Sequence, residues 1–145
     1  MSRARTGRRL GLFSGAVLWL SASGALASGG IFCESAGEGF RFSAILAHGV
    51  LELPREVSGE ARIDFPANGS LSALSVASSF SSASLTQFAV IDDTVQIELY
   101  DMDRDVRYLV RVIDAADGEY VGRLVATTRG EERASIDMRV TCAFE

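Results

Sequence analysis

Three aspartates, Asp101, Asp103 and Asp105, alternate with other residues in the stretch YDMDRD, residues 100–105. Carboxylates at this spacing open many calcium loops, because a hard cation takes oxygen ligands from alternate positions. A loop of the EF-hand kind also needs a glycine after the third acid and a bidentate glutamate at its twelfth position. Val106 and Val112 stand at those places, so the EF-hand reading fails. Two readings are left. One is a looser metal site, with Asp101, Asp103 and Asp105 joined by Asp92 or Asp93. The other is a charged turn whose carboxylates Arg104 and Arg107 offset. Aspartate bonds its own backbone and tolerates turn geometry, which favours the turn.

Other chemistry is sparse. His48 is the single histidine and sits beside Gly49, as a strand-turn residue would. A serine nucleophile needs a base that a third group orients. A zinc site needs several histidine or cysteine ligands. With 19 acidic residues, some carboxylate pair always lies at a distance suited to glycoside hydrolysis, so such a pair specifies nothing. After residue 27 the glycines, apart from Gly29-Gly30, sit singly, as turn residues do, and form no phosphate loop. The residues therefore point to no enzyme, no cofactor and no metal.

Residues 1–27 read as a secretory signal. Arg3, Arg5, Arg8 and Arg9 form a positive start, residues 10–20 an apolar run, and Ala25-Leu26-Ala27 a cleavage site. The run is shorter than the roughly 20 residues a membrane-spanning helix needs. The expected product is residues 28–145, a single β domain, periplasmic or secreted, with no membrane insertion after cleavage. It carries ten arginines, no lysine and 19 acidic residues, a formal charge of −9. Such a chain repels nucleic acid and favours neutral or cationic partners.

The only cysteines, Cys33 and Cys142, lie near the two ends of that product. In an oxidising compartment they are expected to pair. The bridge would hold the first and last strands together with Cα atoms roughly 5–6 Å apart.

Those strands are visible as alternation. Ala134, Ile136, Met138, Val140, Cys142 and Phe144 share one face, with Ser135, Asp137, Arg139 and Thr141 on the other. The same period runs through residues 120–127, 106–113 and 95–99, with Asp117-Gly118 and Arg129-Gly130 as turns. Four strands in meander order follow. Further strands are expected over residues 40–46, 50–53, 61–65 and 85–91, with turns at Asn68-Gly69 and Asp92-Asp93. Residues 70–84 hold eight serines in fifteen positions, which suits an edge strand and a surface loop better than a helix, or a polar rim that touches a ligand. The expectation is all-β: a small antiparallel meander, a closed or nearly closed barrel of about eight strands, with a β-sandwich as the alternative.

A signal peptide, a compact antiparallel barrel and a cysteine near each end resemble the plan of the small periplasmic lysozyme inhibitors. The resemblance covers architecture alone. The serine-glycine-tyrosine and tryptophan-containing loops of that family have no counterpart after residue 27, so no inhibitory residue carries over. It implies a cationic protein target, which the charge of −9 also suits. The expected function is binding of a protein partner, with a small-ligand barrel or a structural subunit of an envelope complex as alternatives. The acids at the turns, Asp92, Asp93, Asp101, Asp103 and Asp105, are the expected partner-binding residues.

Overall fold

The computed structural model describes residues 29–37, 39–46, 54–67, 72–116, 118–129 and 133–144. Among them run nine strands: β1 (Gly30–Ser35), β2 (Phe40–Ile45), β3 (Glu56–Phe65), β4 (Leu74–Ser81), β5 (Leu85–Ile91), β6 (Thr94–Asp101), β7 (Val106–Ala116), β8 (Glu119–Thr128) and β9 (Ser135–Phe144). One 3-10 turn, Ser82–Ser84, joins β4 to β5. The strands form one antiparallel sheet in the order β4-β3-β2-β1-β9-β8-β7-β6-β5, strongly curled into a half-barrel.

That order is a ring with one cut. Every consecutive pair of strands is hydrogen-bonded except β4 and β5, and β1 and β9 bring the two ends of the chain together. The cut falls in the serine-rich segment. There β4 is an edge strand, in line with the sequence, and the helical alternative shrinks to the three-residue turn. The strand expected over residues 61–65 begins earlier, at Glu56, and gains a full pairing with β4. His48, residues 50–53 and Asn68-Gly69 lie outside the described residues.

Alternation builds the core as expected. Val95, Ile97 and Leu99 of β6 and Val106, Tyr108, Val110 and Val112 of β7 are buried, while the residues between them face outward. The opposite wall supplies Phe40, Phe42, Ile63, Phe65 and Phe80. The two walls meet: the Phe80 ring of β4 sits edge-on against Tyr108 of β7, with centroids 5.0 Å apart. The interior is filled with side chains, like that of other small barrels.

Cys33 and Cys142 are bonded and buried. They are direct partners in the β1–β9 ladder, with Cα atoms 4.0 Å apart. This is closer than the sequence-based estimate, because the bridge joins opposed residues of adjacent strands at a narrow point of the ladder. It does not connect two stacked sheets.

Gly59 departs from the turn assignment and lies inside β3, while Gly122 lies inside β8 as the alternation predicted; both face the core. A Cβ on Gly59 would stand 2.3 Å from the Arg41 carbonyl oxygen, and one on Gly122 1.9 Å from that of Arg111. Neighbouring backbone approaches most closely at these points, which lets the sheet bend around its core.

Candidate functional site

The aspartate stretch is a turn between β6 and β7. Asp101 ends β6 with its side chain turned inward and 7% of its surface exposed. One carboxylate oxygen accepts the backbone N–H groups of Asp103 and Arg104, at 3.1 and 3.2 Å. The other accepts the Arg104 guanidinium at 3.1 Å. Burial pushes the Asp101 carboxyl upward, but the Ser78 hydroxyl and Arg104 outweigh it and hold it below its ordinary value. Asp105 takes a left-handed backbone, φ 53°, and accepts the Tyr100 hydroxyl at 2.5 Å. Asp103 is exposed. Each carboxylate thus faces a different way, and no group of three metal-ligating side chains converges among the described residues.

Asp92 and Asp93 form the turn between β5 and β6, with Asp92 at φ 56°. This turn and the Asp101–Asp105 turn cap opposite ends of β6, roughly 23 Å apart for a strand of its length. The five acids therefore make two rims and not one patch.

Between the rims, the outward face of β7, β8 and β9 carries arginine. Arg111, Arg123 and Arg139 are direct partners across the three strands. Like charges in register are unfavourable in a sheet. Asp137 relieves Arg123 at 2.7 Å, and the Gln96 amide oxygen accepts the Arg111 Nε–H at 3.0 Å. A chain acidic in total is thus locally basic along this belt.

A wider depression lies elsewhere. The register aligns Phe32, Ser43, Ser58 and Ser81 in one outward row across β1 to β4, with Gly30, Ile45 and Glu56 in the next. These residues, with Ser82 and Ala83 of the 3-10 turn, line a groove of about 770 Å³. Phe32 and Ile45 are each 44% exposed there. The Ser43 and Ser58 hydroxyls share a hydrogen bond of 2.8 Å, and Ser82 donates to the Arg55 carbonyl while accepting the Val57 N–H. The groove thus exposes apolar side chains, while the Ser43 and Ser58 hydroxyls bond each other and Ser82 bonds the backbone. Glu56 is the one carboxylate among its described lining residues. The groove ends at the cut in the sheet, where neither β4 (LSVASSFS) nor β5 (LTQFAVI) carries a charge or a proline to discourage pairing with another chain.

Phe32, Ser43, Ile45, Glu56 and Ser58 are absent from the sequence-based candidates, whereas Ser81, Ser82 and Ala83 belong to the serine-rich segment read there as an edge and loop or as a ligand-touching rim. Phe32 and Ile45 sit at outward positions of strands whose inward positions are also apolar, so the break in alternation at these two was the available signal. No family model, curated protein or solved structure matches the chain.

Proposed function

We propose that this chain is a non-catalytic binding module of an exported compartment, and that its partner is a protein seated in the groove between Phe32, Ile45 and Ser81. One observation carries the reading. Two large apolar side chains are exposed together in a groove of about 770 Å³ on a molecule that buries most of its large apolar side chains among the described residues. Water contact with such a patch is costly, and a partner that covers it recovers the loss. The disulfide supports an oxidising, extracellular setting. The net charge supports a cationic partner, drawn in over the acidic rims while the groove supplies the contact.

A small apolar ligand is the second reading, since the groove volume lies in the range of small-molecule sites. The test is affinity capture from exported proteins with the wild-type domain and with Phe32→Ser/Ile45→Ser, read by mass spectrometry. A protein retained by the wild type and lost with the variant supports the partner reading. A small molecule in native mass spectra of the wild type alone supports the second. Identical profiles for both domains would remove the groove from the account.

A further inference from the structure

A second site, of opposite charge, lies at the far end of the arginine-bearing face. Glu98, Arg107, Thr127, Thr128, Arg129 and Arg133 line a cleft of about 390 Å³. Arg107 and Thr127 are direct register partners, so guanidinium and hydroxyl stand side by side. Arg107 gives one N–H to Glu98 at 2.6 Å and keeps other donors. Arg129 lies over the Tyr100 ring, 5.3 Å from its centroid, and its backbone N–H bonds the Asp105 carbonyl at 2.9 Å. Its guanidinium is therefore held in place before any ligand arrives. Arg133 is exposed and makes no ion pair among the described residues.

Among the described lining residues three guanidinium groups stand around one carboxylate, a surplus of two positive units. The carboxylate is already engaged by Arg107, so the surplus rests on Arg129 and Arg133. Planar forks of this kind match oxyanions, and a doubly charged one balances the surplus. No such surplus is expected of a chain whose formal charge is −5.

We propose that the cleft between Arg107, Arg129 and Arg133 binds a tetrahedral dianion of the phosphate or sulfate type, free or as the terminal group of a larger molecule. Arg129 and Arg133 hold its oxygens, Arg107 closes the third side, and the Thr127 hydroxyl supplies a neutral donor. This site stands apart from the Phe32–Ile45 groove and does not depend on it.

The test is isothermal titration of the full mature domain with inorganic phosphate, sulfate and phenyl phosphate at pH 7.5, against chloride at matched ionic strength. Saturable binding of phosphate or sulfate, absent for chloride, is expected. Tighter binding of the free ions identifies an inorganic ligand, and tighter binding of phenyl phosphate identifies a terminal group; either outcome supports the site. Arg133→Gln should weaken binding about tenfold or more, the loss expected for a hydrogen bond between charged groups. Arg133→Lys should restore part of it, and Arg62→Gln on β3 should change nothing. Arg133 is exposed, so its variants should fold. If wild type treats phosphate, sulfate and chloride alike, the proposal is overturned. Binding unchanged in Arg133→Gln overturns it equally.

Discussion

The Ser78 hydroxyl on the edge strand β4 and the Tyr108 hydroxyl on β7 lie 2.7 Å apart, inside the core and across the cut in the sheet. Neither strand is paired with the other. The bond holds β4 against the opposite wall where a ladder would otherwise close the ring, and the Ser78 hydroxyl also helps lower the Asp101 carboxyl at the end of β6. Replacing Ser78 or Tyr108 tests this. Tyr108→Phe should cost about 1 kcal/mol, with a coupling to Ser78→Ala of similar size in a double-mutant cycle. Hydrogen exchange in β4 should quicken more than in β8. Purely additive effects would show that the two groups act separately.

Acid should loosen the same region. The Asp101 carboxyl lies below its ordinary value of 3.8, lowered by Ser78 and Arg104 against the effect of burial. The Glu98 carboxyl lies below 4.5, chiefly through its bond to Arg107. A group with a depressed folded pKa stabilises fully above its unfolded pKa and loses that contribution as pH falls through the folded one. Denaturant unfolding should therefore show constant stability from these two groups near neutrality and a decline beginning as pH drops towards 4.5. Asp101→Asn should be less stable at pH 7 by about 1–3 kcal/mol and should flatten the acid slope. An unchanged slope would separate Asp101 from acid sensitivity.

The disulfide fixes adjacent strands rather than distant ones, and it closes a separation of 109 residues. Constraint of so long a loop acts mainly on the unfolded chain. Cys33→Ser/Cys142→Ser should lose about 2–5 kcal/mol and melt about 10 °C lower or more. Two titratable thiols in the native, unreduced protein would contradict the bridge.

Gly122 tests the bend. A Cβ there would meet the Arg111 carbonyl oxygen at 1.9 Å and the Val112 Cα at 2.7 Å, both backbone atoms that cannot swing aside. Gly122→Ala should destabilise by about 3 kcal/mol, the upper end of the overpacking range. Gly118→Ala, in a turn with open space around it but φ 79°, should cost about 1 kcal/mol from backbone strain alone. Equal melting temperatures for the two variants would mean that β8 can shift away from β7.

Much of this architecture was legible because period two survives wherever one face is buried. Val106, Tyr108, Val110 and Val112 announced β7, and Cys142 at an inward position announced its bridge. The position of the cut was less legible. Serine is indifferent to strand pairing, so residues 70–84 identified an edge but could not say that β4 and β5, neighbours in sequence, would stay unpaired. Gly59 hid for the opposite reason: a glycine reads as a turn until the backbone that crowds it is known. Charge misled by being summed. A total of −9 over residues 28–145 says nothing of arginines gathered on the belt of β7 to β9 while the acids occupy the turns. The groove escaped because its residues come from four strands and meet only through register.

The central claim is that a protein partner covers Phe32 and Ile45. The most direct measurement places a photo-crosslinking amino acid at position 45 and, separately, at position 141 on the outward face of β9, and irradiates each variant with exported proteins of its source. Position 45 should yield a discrete adduct with one protein, of basic composition, and Phe32→Ser in the same chain should abolish it. Position 141 should yield none. Adducts only at position 141, or no protein adduct at position 45, would contradict the account.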